Sequence, residues 1–217
     1  TKPSFRLNAV LLLCALIAPA AGAQTAAAPA AASSAPAAPT IRPELRAALL
    51  ETQTLLAEQK YPQAREKVDL ANAMADKTPY ESYILSRIGL SIAIAEDDAP
   101  AANKLLEQVL ALNSTGAWLK PEETLPLMHA VGITHYRTKD YAQSAAWMER
   151  NIKAGGNDAA VKNIRIQAYL LGGNLQRGSD LINAEIAASE LAKTAPPQNH
   201  LEMLAQARNN LKDAAGT

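Results

Sequence analysis

Three histidines, His129, His135 and His200, are the side chains of this sequence best suited to bind a metal or to move a proton near neutral pH. Two histidines that share a metal on a helix usually lie four residues apart, so that both rings project from one face. His129 and His135 are six residues apart, which is about 240° around a helix, and His200 is isolated. The spacing therefore predicts no metal site. We expect His135 to be a core residue and His129 to lie in a groove or on the surface.

Gly173 and Gly178 have the spacing of the glycines in a phosphate-binding loop. Ser179 and Asp180 follow them, where such a loop needs Lys and then Ser or Thr, and the segment comes after a helical pattern instead of a strand. We interpret it as a turn between two helices. Acidic pairs, such as the one at residues 122–123, stand at predicted helix starts, where they favour the helix dipole. No other motif of a nucleophile, base or metal is present, so we predict a non-enzymatic protein without cofactor or small-molecule substrate.

The first 23 residues have the pattern of an export signal. Lys2 and Arg6 precede an apolar run over residues 9–18, and the small residues 21–23 match a cleavage site. The run is too short to cross a bilayer, which takes about 20 apolar residues. Cys14, the only cysteine, lies inside the run, so the mature chain would have no thiol. We predict cleavage after Ala23, a periplasmic location and a mature chain that spans no membrane.

Composition divides the remaining chain in two. Residues 24–40 are mostly Ala, Pro and Ser with no large apolar side chain, which is typical of a disordered linker. We predict one domain over residues 41–217. Without Lys2 and Arg6, 19 basic side chains stand against 21 acidic ones. This balance argues against a nucleic-acid-binding protein, which usually carries a basic stripe.

After residue 41, apolar side chains recur at spacings of three and four, which is the pattern of amphipathic helices, and no segment alternates as a strand does. Leu45, Leu49 and Leu56 form one such stripe. Turn signals rich in Gly, Pro, Asn and Asp separate the stripes. We predict nine helical segments of about 12–18 residues each.

The turns share a register. A tetratricopeptide repeat of about 34 residues pairs two antiparallel helices, with small residues at positions 8 and 20 where the helices cross. With Tyr141 at position 17, Gly132 falls at position 8 and Ser144 at position 20. The same alignment gives the position-20 series Ala64, Ala102, Ser144 and Gly178, with spacings of 38, 42 and 34 residues. We therefore predict an all-α, tetratricopeptide-like helix-turn-helix solenoid of about four degenerate repeats plus an incomplete fifth. The alternative is an irregular helical bundle.

The first helix of each repeat would present a set of polar side chains on the concave face of such a solenoid. Three arginines and a histidine mixed with amides and a tyrosine suit an extended peptide that bears carboxylates. The alternative is a face that is merely solvated. The predicted partner-binding residues are Arg46, Gln53, Arg87, Ser91, His129, Tyr136, Arg137, Asn163 and Gln167.

Three segments carry a family resemblance: KTPYESYILSRIG at 77–89, THYRTKDYAQSAAW at 134–147 and NIKAGGNDAAV at 151–161. Together with the order of signal, linker and repeats, they resemble the periplasmic tetratricopeptide proteins of proteobacteria that are assigned to the TonB energy-transduction system. The resemblance covers residues 41–212 and implies an accessory or scaffolding role with no chemistry. The alternative function is an adaptor of the same class in cell-envelope assembly.

The last apolar stripe, Leu201, Leu204 and Leu211, fits the first helix of a fifth repeat whose second helix is missing from the sequence. The end of a solenoid needs a capping helix over its last apolar face. We therefore expect a protein truncated at its C-terminus, with this stripe only partly covered and residues after Asp213 loosely packed.

Overall fold

The structure, a computed structural model, describes residues 39–215, with the side chains of Arg208, Asn210 and residues 211–215 excepted. The predicted signal and nearly all of the predicted linker lie outside the described residues. In the described part of the chain there are nine α-helices of 12–18 residues and no strand, which confirms the predicted all-α class. The helices are α1 Pro43–Ala57, α2 Tyr61–Asn72, α3 Pro79–Ala95, α4 Ala99–Gly116, α5 Pro121–Arg137, α6 Tyr141–Lys153, α7 Ala159–Leu171, α8 Leu175–Leu191 and α9 Gln198–Ala215.

Contacts between residues divide the chain into two compact units. Among the described residues, unit one contains residues 39–96 and 104–118, and unit two contains residues 97–103 and 119–215. Within each unit, helices that follow one another in the sequence pack together: α1 on α2 and α2 on α3, then α5 on α6 and so on to α9. Helix-turn-helix pairs of this kind are the building block of tetratricopeptide-like repeats.

Four turns confirm the repeat register. The residues with positive φ that precede the second helices are Gln59 (58°), Asp97 (58°), Lys139 (63°) and Gly173 (84°). They are 38, 42 and 34 residues apart, the same spacings as the position-20 series, because each lies five residues before its small residue. A left-handed residue ends a helix by letting the next amide groups bond to the last free carbonyls. The four turns therefore repeat one backbone geometry as well as one sequence pattern.

The small residues lie where helices approach closely. Ala64, Ala102, Ser144 and Gly178 are all buried. A Cβ atom on Gly178 would lie 2.4 Å from Cδ2 of Leu170. A side chain at this position needs space that the neighbouring helix already fills, which confirms the reason we gave for its small size.

Gly132, at the predicted position 8, lies in a similar contact. A Cβ atom there would lie 2.6 Å from Cε of Met148 and 3.2 Å from Cβ of Trp147. Helices α5 and α6 therefore approach closely at this residue, as the repeat alignment predicts. Ser144 on α6 is buried as well, and its Oγ has no hydrogen-bond partner among the described residues. The small size of Ser144, and not its hydroxyl group, explains why this residue occupies position 20.

Side-chain caps fix several helix starts. Asp98 and Asp158 accept hydrogen bonds from the amides of Ala101 and Ala160. Thr78 accepts from the amide of Glu81, while the Glu81 carboxylate accepts from the amide of Thr78 in return. This reciprocal pair is a capping box, which satisfies two amides that have no partner within the helix.

Glu81 also ties two helices of unit one together. Its side chain is 1% exposed and accepts from the backbone amide, Nε and Nη2 of Arg42, at 2.9, 3.0 and 2.9 Å. Arg42 immediately precedes α1, and Glu81 lies in the first turn of α3. The hydrogen bonds from Arg42 lower the pKa of Glu81 from 4.5 to about 2, because they stabilise its charged form.

The last helix is covered in part by the two helices before it. Leu204 is only 7% exposed and packs with Ile166 on α7 and Ile182 on α8. Leu201 is exposed, whereas the side chain of Leu211 lies outside the described residues. No helix in residues 39–215 is long and apolar enough to cross a membrane.

Candidate partner-binding groove

The predicted partner-binding residues fall in both units. In unit one, Arg46 is exposed on α1, while Gln53 on the same helix is half-buried. Ser91, on α3, is also half-buried and donates to the carbonyl oxygen of Arg87, one turn earlier. No contact among the described residues joins these side chains into one site.

Arg87 does not line an open face. It is 3% exposed, its Nη1 donates to Oη of Tyr83 at 3.1 Å, and its guanidinium lies 5.9 Å from the centre of the Tyr83 ring. Tyr83 belongs to an aromatic cluster with Tyr80 and Trp118. Contrary to the expectation of an open face, Arg87 is buried within unit one, because α3 is apolar on nearly all sides and buries this residue as well.

Unit two brings three of the predicted residues together. Oη of Tyr136 on α5 donates to Oε1 of Gln167 on α7 at 2.9 Å. Asn163 lies one turn before Gln167, and its Oδ1 lies 2.6 Å from Nε2 of His200 on α9. These two pairs place polar side chains of α5, α7 and α9 on one face of unit two.

A cavity of about 300 Å³ opens on this face. We call it the unit-two groove; its lining residues are Tyr136, Gln167, Leu170, Leu171, Leu175, Met203, Gln206 and Ala207. The sequence identified only the first two of them. The others are apolar or amide side chains at ordinary helical spacing, a pattern that does not distinguish a groove wall from a core.

Arg137, another predicted contact residue, is exposed and forms an ion pair with Asp97. Because Arg87 is buried and Arg137 is paired, two of the three predicted arginines have partners within the protein. None of the residues that line the unit-two groove carries a charge.

The three histidines of unit two are all at least partly buried, and burial lowers the pKa values of two of them. His135 is buried and its Nδ1 lies 3.1 Å from Oδ2 of Asp140, so the prediction of a core residue is confirmed. His129 is half-buried, and burial lowers its pKa while the charge of Asp158 acts against the shift. Burial also lowers the pKa of His200, and there the charge of Glu185 opposes it. Burial therefore favours the neutral form of both rings.

Within residues 39–215, no three His, Cys, Asp or Glu side chains lie close enough to hold a metal ion. His129 and His135 both lie on α5, but they have separate surroundings. Nδ1 of His135 contacts the carboxylate of Asp140, whereas no side chain bonds to Nε2 of His129. Their different environments agree with the angular separation expected from the sequence.

Comparisons with known proteins give a similar solved structure but no family. No family model matches the chain, and no curated protein matches it either. The chain is similar to the crystal structure of a protein from Podosopora anserina assigned as a kinesin light chain with nearly identical TPR-like repeats. The two share 17% sequence identity and a TM-score of 0.46, over 80% of this chain and 90% of that one. The tetratricopeptide-like character of this chain is defined by its own helix pairs and by the register of its four turns.

Proposed function

We propose that this chain is a non-enzymatic periplasmic scaffold that binds another protein through the unit-two groove and is accessory to TonB-dependent energy transduction or transport. Helical repeat proteins generally act through extended surfaces formed by successive repeats. The observation that carries the proposal is the groove itself, because it combines an apolar cavity, lined by residues of four helices, with a hydrogen-bonded pair of polar side chains. A protein segment is the ligand that offers both apolar side chains and backbone polar groups.

Residues 1–23 support the periplasmic part of the proposal through their charged start, apolar run and small-residue site. The test is to express the full chain in a Gram-negative host, separate periplasm from cytoplasm and sequence the N-terminus of the recovered protein. We expect a periplasmic protein that begins at Gln24. A protein that stays in the cytoplasm with Lys2 and Arg6 still attached would refute this part.

The TonB part is supported by the family resemblance of residues 77–89, 134–147 and 151–161. It is tested by a photo-crosslinking amino acid placed at Gln206, which is exposed and lines the groove, with Leu191 as the control position. Crosslinking in living cells of the source bacterium should join position 206, and not position 191, to a protein of the TonB system. Capture of an envelope-assembly protein at position 206 would favour the adaptor alternative. No product at position 206 would contradict partner binding through the groove.

A further inference from the structure

The charge around the unit-two groove differs from what the sequence led us to expect. The lining residues are all uncharged, and Arg137, which follows the lining residue Tyr136 in the sequence, is paired with Asp97. A carboxylate that entered an apolar cavity without a partner would lose its hydration without compensation. Charge complementarity therefore favours an uncharged ligand here, in place of the acidic peptide predicted from the arginines.

The amide of Gln167 determines which polar group the ligand must bring. Its Oε1 already accepts the hydrogen bond from Tyr136. Its Nε2 carries two N–H donors, and no described residue accepts from either. A half-buried amide at the edge of a cavity is best satisfied by an acceptor such as a carbonyl oxygen.

The size of the cavity limits the apolar group that the ligand can place in it. Its volume is about 300 Å³, whereas an apolar cavity of about 150 Å³ holds one benzene ring. Leu170, Leu171, Leu175, Met203 and Ala207 are its apolar lining residues. The groove has room for one or two aliphatic or aromatic side chains, and it is at the small end for an organic cofactor or drug-sized ligand.

We infer that the unit-two groove binds an extended, uncharged segment of a partner protein, with an apolar side chain in the cavity and a backbone carbonyl accepting from Nε2 of Gln167. The segment is extended because the carbonyls of a helical segment already bond within their own helix. This inference rests on the proposed function and names the chemistry of the partner at the same site.

The test uses the full chain, immobilised and selected against a random dodecapeptide display library. Two substitutions form a matched pair: Leu171→Asp and Leu191→Asp. Both leucines are exposed, at 55% and 87%, and each is the last residue of its helix, so the effect of the new charge on the helix dipole is the same. Only Leu171 lines the groove. A third variant, Gln167→Met, keeps the length of the side chain and removes the amide.

We expect the selected peptides to be rich in Leu, Phe or Met and poor in charged residues. Leu171→Asp should weaken their binding at least tenfold and Leu191→Asp should not change it, while Gln167→Met should weaken it several-fold. Selection of acidic peptides would overturn the inference and leave the proposed scaffold intact. Equal binding by Leu171→Asp and the unsubstituted chain would show that the peptides bind outside the groove, and would contradict both the inference and the proposed function. Failure to select any peptide would count against both the inference and the proposed function.

Discussion

At the scale of single residues, Glu81 is the side chain on which we expect unit one to depend most strongly. Glu81→Gln removes the charge that Arg42 and Thr78 bond to, and leaves Arg42 bonded to the carbonyl oxygens of Ala75 and Asp76 but without its ionic partner. We expect a loss of about 2 kcal/mol in the free energy of unfolding at pH 7, less than a fully buried ion pair would give, because Arg42 is partly exposed.

The pH dependence follows from the lowered pKa of Glu81. Its contribution is complete above pH 4.5 and is lost as the pH falls toward about 2, because the unfolded state takes up the proton first. Urea unfolding at several pH values should therefore show that the difference in free energy of unfolding between Glu81→Gln and the unsubstituted chain becomes smaller below pH 4.5. Glu58→Gln, which removes an exposed pair with Lys60, is the control and should have little effect. A difference that stays constant down to pH 3 would refute the stated cause.

Substitution of Ser144 is expected to stabilise the protein, whereas substitution of Glu81 is expected to destabilise it. Its buried Oγ has no partner among the described residues, so Ser144→Ala removes an unsatisfied hydroxyl and should raise the free energy of unfolding by about 1 kcal/mol. Ser86→Ala is the matched control, since Oγ of Ser86 donates to the carbonyl of Ser82 one turn earlier. Both changes gain the same helix propensity. Thermal unfolding in which Ser86→Ala stabilises as much as Ser144→Ala would contradict our account.

At the scale of elements, the turns between paired helices have equivalent backbone conformations in successive repeats. Lys139 and Gly173 occupy equivalent positions with φ of 63° and 84°. Lys139→Gly should stabilise the protein, because glycine adopts this conformation without steric cost, and Gly173→Ala should destabilise it, each by about 1 kcal/mol. Urea unfolding of the two variants measures both effects. Changes of the same sign at both turns would mean that the turns are not equivalent.

The sequence predicts the register of these elements because helix pairs and turns are local. The position-20 series and the four left-handed turn residues have the same spacings, and both are properties of residues close together in the chain. Whether a helix is covered on several sides, in contrast, depends on contacts with other helices. Periodicity placed Arg87 on one face of α3 without showing that this helix is covered on nearly every side. The run of apolar side chains around Arg87 was the available signal.

Contacts over long sequence separations are the part that the sequence does not predict. Arg42 and Glu81 are 39 residues apart, and Asn163 and His200 are 37 apart. Helical patterns say which face a residue occupies, but not which residue of another helix lies opposite. The unit-two groove depends on such pairs, so Tyr136 and Gln167 were identified by face and Met203 was missed.

At the scale of the whole molecule, burial of His129 and His200 predicts a loss of stability in mild acid. Their pKa values are lowered, so the unfolded state takes up protons that the folded state does not. Stability should be complete above about pH 6.5 and fall as the pH drops below that value. Chemical unfolding between pH 8 and 5.5 should show this fall, and it should be smaller in a His129→Gln, His200→Gln double variant. An equal loss of stability in the unsubstituted chain and the double variant would mean that other titratable groups cause it.

The central claim is that partners bind in the unit-two groove, which residues of α5, α7, α8 and α9 line, and amide hydrogen exchange of the full chain tests it most directly. The protein is measured alone and then saturated with a peptide selected from the dodecapeptide library. Our account predicts slower exchange in residues 163–171 and 198–207, with no change in α1. Slower exchange confined to α1 or α3, with α7 and α9 unchanged, would contradict it.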